Sequence, residues 1–145
     1  MIDILVLSRD RAEAMEAHEV PHLIISINCP GEEPANIKAN ERTLGRVNLF
    51  FWDLDQHAVG QAQESCPLAQ PSDGEKVVDL VLANPDAQRV VIHCTAGKSR
   101  SAAVAAALHL VLNGSDVPIF GDARYRPNML VYRHVLNAWH ERQNP

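Results

Sequence analysis

Four short apolar runs, separated by helix-forming and turn-forming segments, constrain the fold of this chain most strongly. The runs cover residues 2–7, 22–28, 47–52 and 89–93. Continuous runs rich in Ile, Val and Leu are typical of strands that are buried on both faces, as in parallel sheets covered by helices. We therefore predict an α/β fold with a central, mainly parallel sheet of about four or five strands and helices on both faces.

Four further segments predict helices, namely 8–18, 75–83, 102–113 and a last one that begins at Pro127. Ser8 is suited to cap the first of them, and Pro127 is suited to the first helical position. Residues 57–74 are polar and contain glycine and proline, which predicts a long connection. Together these elements predict one domain over residues 1–145, with loops at the carboxyl ends of the strands as the place for a ligand.

The charge balance limits the partners of this chain. It has 145 residues, with 13 Lys and Arg against 18 Asp and Glu, and a net charge of −5. A surface of this sign repels nucleic-acid backbones and anionic lipid, so we expect neither nucleic acid nor a membrane as a partner. An anionic substrate would need a local group of cations and N–H donors.

The three cysteines, Cys29, Cys66 and Cys94, have no spacing typical of a metal site. We therefore expect no metal. An odd, widely spaced set of thiols favours a reducing cytoplasm as the location.

The segment 93–101, HCTAGKSRS, carries the most specific chemical signal. It lies between a predicted buried strand and a predicted apolar helix, where backbone N–H groups and the helix N-terminus can bind a tetrahedral oxyanion. Gly97 permits a tightly curved backbone, and Arg100 can reach back over the loop with its planar fork of donors. The same positive field stabilises a thiolate at Cys94, which makes this cysteine a candidate nucleophile.

This segment resembles the His-Cys-x5-Arg-Ser signature of the cysteine-dependent protein tyrosine phosphatase superfamily, in particular its small dual-specificity branch. The resemblance implies a phosphatase without cofactor, in which Cys94 attacks phosphorus and forms a cysteinyl-phosphate intermediate. It implies that Ser101 eases departure of the thiolate and that His93 supports the loop from behind. The residues implied to bind the substrate phosphate are Thr95, Ala96, Gly97, Lys98, Ser99 and Arg100.

The resemblance also implies a general acid on a separate loop that follows a strand upstream of the cysteine. Asp53, directly after the run 47–52, matches that placement, and Asp55 is the alternative acid. Small members of the superfamily often carry a Pro-Asn pair before the last helix, and Pro127-Asn128 resembles it. The implied substrates are phosphorylated proteins or small phosphomonoesters: phosphotyrosine first, then phosphoserine, phosphothreonine, phosphoinositides or metabolites.

Other functions remain open for a cysteine in an anion-binding loop. They are sulfur transfer of the rhodanese kind, arsenate reduction, and recognition of phosphate without turnover. A nucleotide-binding P-loop is excluded, because its first glycine would fall on Ile92. Cys29 and Cys66 are predicted to be idle, or to protect Cys94 as a disulfide under oxidation.

Overall fold

The computed structural model describes residues 1–54 and 68–144 of the chain. Four strands form one sheet: β1 (Asp3–Ser8), β2 (His22–Asn28), β3 (Thr43–Phe50) and β4 (Arg89–Cys94). Their order across the sheet is β1-β4-β2-β3, and every neighbouring pair is parallel. The predicted α/β fold with a parallel central sheet is therefore confirmed.

The helices of the described residues are α1 (Arg9–Ala14), α2 (Pro71–Leu82), α3 (Arg100–Asn113), α4 (Val117–Phe120) and α5 (Met129–Gln143). Helices α2, α3 and α5 pack on one face of the sheet around the larger apolar core. Helix α1 and residues 35–37 cover the other face around a smaller core. Within residues 1–54 and 68–144, no helix has the length and apolar character needed to cross a membrane.

Several predicted boundaries are wrong. Strand β3 begins at Thr43 and ends at Phe50, whereas the apolar run covers 47–52. Strand β3 is an edge strand that pairs only with β2, so it tolerates polar residues. A search for continuous apolar runs does not detect those residues as part of a strand. Helix α1 ends at Ala14 rather than at residue 18, since Met15 already has an extended backbone.

The starts of two helices are set by capping. Helix α2 begins at Pro71 rather than at residue 75, because Gln70 and Asp73 form a capping box around its first turn. Helix α5 begins at Met129 rather than at Pro127. The Asn128 side chain accepts hydrogen bonds from the amides of Leu130 and Val131 and so occupies the N-cap position.

The carboxyl ends of the four parallel strands lie at the same end of the sheet. Strand β4 lies between β1 and β2, and Ser8, the last residue of β1, pairs in register with Cys94. Helix α3 leaves the loop after β4 and is buried along residues 100–108. Its alanines allow a close approach to the sheet. The segment 93–101 is therefore held between a central strand and a buried helix.

Candidate active site

The loop that connects β4 to α3, which we call the cysteine loop (residues 94–100), is shaped by the end of β1. Gly97 has a φ of +72°, which favours glycine, and a Cβ at this position would lie 2.6 Å from the Leu7 carbonyl carbon and from the Ser8 nitrogen. The Arg9 amide donates to the Thr95 carbonyl at 3.1 Å. Close backbone contact with β1 therefore requires glycine at position 97.

Cys94 lies at the base of this loop and is 2% exposed. Its Sγ accepts a hydrogen bond from the Gly97 amide at 3.3 Å and lies 3.1 Å from Ser101 Oγ. An N–H donor and a hydroxyl next to the sulfur are groups that stabilise negative charge on it. The predicted nucleophile, loop glycine and hydroxyl residue thus lie in direct contact.

The Arg100 side chain is buried, with 5% exposure, and is fixed over the loop. Nη1 donates to the Phe51 carbonyl at 3.0 Å, and Nη2 donates to Thr95 Oγ1 at 2.9 Å. Its Nε–H is buried and has no hydrogen-bond partner among the described residues. A buried N–H of a charged group without a partner is costly, so this atom is suited to an anion at the loop.

The N-terminus of α3 also presents free donors to the loop. Ser99 occupies the N-cap position, but its side chain makes no cap hydrogen bond. Instead, Ser99 Oγ donates to Asp53 Oδ1 at 2.7 Å. The first-turn N–H groups of α3 are therefore left without a side-chain cap, which is the arrangement that binds oxyanions.

Asp53 is held at the edge of the site by two donors. Its Oδ1 accepts from Ser99 Oγ and, at 2.9 Å, from Asn128 Nδ2. Asn128 also donates to the Leu54 carbonyl at 3.0 Å, so the start of α5 fixes the segment after β3. The alternative acid, Asp55, lies outside the described residues.

His93 supports the loop from behind through a buried polar network. Its Nε2 accepts from Ser26 Oγ at 2.6 Å, and its Nδ1 donates to the Cys94 carbonyl at 3.2 Å. Burial is the main reason that the pKa of His93 lies below its ordinary value, with a smaller opposing effect from the Cys94 carbonyl. The imidazole is therefore neutral near pH 7. Because both ring nitrogens are buried and hydrogen-bonded, His93 fits a structural role at the loop rather than that of a base.

Asn28 continues this network toward α1. Its Nδ2 donates to the Leu49 carbonyl at 3.3 Å, and its Oδ1 accepts from Arg9 Nη1 and from the Ala35 amide at 3.2 Å each. Sequence reasoning missed Ser26 and Asn28 as site residues. The available signal is that Ser26 and Asn28 are polar residues in the second half of a strand that is entirely buried.

The remaining predicted residues lie around the opening of the loop. Thr95, Ala96 and Lys98 are exposed. Cys29 Sγ lies 3.6 Å from Arg100 Nη1 and 3.7 Å from Thr95 Oγ1, which makes it a neighbour of the site. Cys66 lies outside the described residues.

Three histidines give this protein an expected pH dependence of stability. Burial lowers the pKa of His18, His93 and His109. Below the ordinary histidine value of about 6.5 the unfolded chain takes up protons that the folded chain resists, so stability is lost as the pH falls through that value. We expect melting temperatures several degrees lower at about pH 5.5 than at about pH 7.5.

Thermal denaturation followed by circular dichroism checks this dependence. His109→Gln removes one of these three histidines, and residue 109 lies outside the cysteine loop. The variant should show a smaller difference in melting temperature between the two pH values. A melting temperature that rises on acidification would contradict the expectation.

Comparison with solved structures identifies the fold. The crystal structure of PTPMT1 in complex with PI(5)P superposes with a TM-score of 0.53 and 19% sequence identity, over 96% of this chain and 91% of that one. This chain has a dual-specificity-phosphatase-like fold. At 19% identity the likeness is one of fold, and it confirms the fold that the predicted resemblance implies.

Two other solved structures with a phosphatase-like fold match at lower TM-scores. Human DUSP28 has a TM-score of 0.49 at 14% identity, over 97% of this chain and 93% of that one. The human tyrosine phosphatase-like serine/threonine/tyrosine-interacting protein has 0.47 at 19% identity, over 86% and 79%. No protein-family model matches the sequence, and no curated protein matches it significantly.

Proposed function

We propose that this protein hydrolyses phosphate monoesters through a cysteinyl-phosphate intermediate. The Cys94 thiolate attacks phosphorus, and Asp53 donates a proton to the ester oxygen as the phosphorus–oxygen bond breaks. In the second step Asp53 takes a proton from water, whose oxygen attacks phosphorus and displaces Cys94 as thiolate. Inorganic phosphate leaves, and both side chains return to their initial states.

The observation that carries this proposal is the state of Arg100. Its guanidinium is buried at the cysteine loop, is oriented by the Phe51 carbonyl and Thr95, and keeps an Nε–H without a partner among the described residues. A guanidinium fixed in this way can donate to a phosphoryl oxygen without first reorganising. Arg100 would thus stabilise the negative charge on the equatorial oxygens during transfer.

The surroundings of Cys94 support its role as nucleophile. The Gly97 amide donates to Sγ, and the uncapped N-terminus of α3 adds partial positive charge at the loop. Ser101 Oγ, 3.1 Å from the sulfur, can donate to the thiolate as it leaves phosphorus. These groups can donate hydrogen bonds to negative charge on the sulfur both before attack and at departure.

The placement of Asp53 supports its role as acid and base. Hydrogen bonds from Ser99 and Asn128 converge on Oδ1, and Oδ2 has no partner within residues 1–54 and 68–144. The second oxygen is therefore available for a proton. Because Ser99 belongs to the cysteine loop, the same hydrogen bond holds the carboxyl group close to the loop.

We propose phosphotyrosine as the first substrate class, with phosphoserine and phosphothreonine next. The net charge of −5 favours small or peptide monoesters over membrane lipids. The structure of PTPMT1 with PI(5)P makes an inositol phosphate a useful further substrate for the same test. We also propose a cytoplasmic location, since the chemistry needs a reduced Cys94.

Release of phosphate from an aryl phosphate in the presence of EDTA tests the proposed function. We expect turnover in EDTA and, in a separate assay without EDTA, inhibition by vanadate, which mimics the five-coordinate phosphorus. Phosphopeptides and inositol phosphates assayed alongside define the substrate class. Binding of phosphate without any release would overturn the proposal in favour of a recognition module, and release of sulfite from thiosulfate with cyanide would favour sulfur transfer.

A further inference from the structure

A cavity of about 630 Å³ lies beside the cysteine loop. It is lined by Asp53, Lys98, Ser99, Ala123, Arg124 and Arg126. Its two walls are joined by main-chain hydrogen bonds, since the Arg126 amide donates to the Lys98 carbonyl at 2.8 Å and the Asn128 amide donates to the Ser99 carbonyl at 3.1 Å. The segment before α5 is thereby tied to the loop. The volume is that of a small-molecule site.

Cations dominate this cavity, although the chain as a whole is acidic. Arg124 is neutralised by an ion pair with Asp122 at 2.7 Å and lies over the Tyr125 ring. Lys98 and Arg126 are both exposed, and neither forms an ion pair with a carboxylate of the described residues. Within residues 1–54 and 68–144, two cations without a carboxylate partner therefore lie at the opening of the proposed site.

Asp53 is the one carboxylate among the residues that line the cavity, and its Oδ1 accepts hydrogen bonds from Ser99 and Asn128. Lys98 and Arg126 lie on neighbouring segments that are joined by the hydrogen bond from the Arg126 amide to the Lys98 carbonyl. These two cations exceed the charge of the Asp53 carboxylate, so the lining as a whole favours an anion.

We propose that this cavity binds a second phosphate group of the substrate, so that among small-molecule monoesters those with a second phosphate group are preferred. One group enters the cysteine loop, and the other lies between Lys98 and Arg126. The proposal rests on the proposed hydrolysis at Cys94. It narrows the substrate class, because a monophosphate uses only the loop.

Two matched pairs of substrates test this subsite. Benzene-1,3-diyl and benzene-1,4-diyl bisphosphate are compared with 3-hydroxyphenyl and 4-hydroxyphenyl phosphate, and kcat/KM is measured for each. For the wild-type protein, we expect kcat/KM for at least one bisphosphate to exceed that for its paired monophosphate by about five-fold or more. This is the effect expected of one or two exposed ion pairs. The preference should shrink as sodium chloride is added, since exposed charges are screened.

Arg126→Gln is the decisive variant. It keeps the main-chain hydrogen bond to Lys98 and should lower the preference to about two-fold or less, because one cation is lost. Arg42→Gln makes the same charge change directly before β3, at the amino end of that strand, and should keep the wild-type preference for the bisphosphate. Melting temperatures of both variants show that they are folded.

The outcomes separate this proposal from the function on which it rests. If monophosphates and bisphosphates are hydrolysed equally well, or if Arg126→Gln keeps the preference, the subsite is wrong and the phosphatase stands. If nothing is hydrolysed, calorimetry with the Cys94→Ser protein and the same four compounds decides the subsite by binding alone. Tighter binding of a bisphosphate that Arg126→Gln removes would support it, and equal binding would refute it.

Discussion

Cys94→Ser should abolish turnover of an aryl phosphate, with a loss in kcat of more than about a thousand-fold. A serine hydroxyl occupies nearly the same volume between Gly97 and Ser101, but it is far less readily ionised than a thiol. The loop and Arg100 remain, so phosphate or vanadate should still bind to the variant. Steady-state kinetics and calorimetry measure the two effects separately.

Cys29→Ser is the matched control, because it removes the other free thiol that the described residues contain. Cys29 Sγ lies at the edge of the site, 3.7 Å from Thr95 Oγ1, and takes no part in the proposed transfer. We expect this variant to keep most of the activity. Persistent turnover by Cys94→Ser, or an equal loss in both variants, would contradict the cysteinyl-phosphate mechanism.

Asp53→Asn should lower kcat by roughly 100- to 10,000-fold on a monoester with a poor leaving group. The amide preserves acceptor contacts with Ser99 and Asn128 but cannot donate a proton to the ester oxygen. The loss should shrink for an aryl phosphate whose leaving group needs no proton. A rate–pH profile measured on both substrates should lose its basic limb in the variant.

Asp55→Asn is the control for this assignment, because Asp55 is the alternative acid. It should leave the basic limb in place and change kcat only slightly. If the two variants show equal and slight effects, neither carboxyl group is the acid. If Asp55→Asn alone removes the basic limb, the two roles are exchanged.

The fold and the cysteine loop were predictable because both depend on local patterns. The buried strands are continuous apolar runs, and the loop is one contiguous segment at a junction of strand and helix. The order of the strands was not predictable, since it depends on which apolar faces pack together. The starts of α2 and α5 were missed because capping by Gln70, Asp73 and Asn128 depends on local hydrogen bonds that hydrophobic periodicity does not reveal.

The partners of the loop come from distant parts of the chain. Ser26 reaches His93 from β2, the Phe51 carbonyl orients Arg100, and Asn128 holds Asp53 from the start of α5. None of these contacts has a sequence spacing that would reveal it, because each depends on how elements far apart in the chain pack. The cavity next to the loop has the same origin, since two hydrogen-bonded segments bring Lys98 and Arg126 to one rim.

The sequence by itself determined the parallel α/β fold and the segment that forms the cysteine loop, since the apolar runs and the loop are contiguous residues. The chemistry of the loop is predicted from the same segment and is our proposal. Only the tertiary structure decided which groups orient the histidine, arginine and aspartate of the site, and that Lys98 and Arg126 lie together beside the loop. The physical reason is that hydrogen bonds and charge act over a few ångströms in space, whatever the separation along the chain.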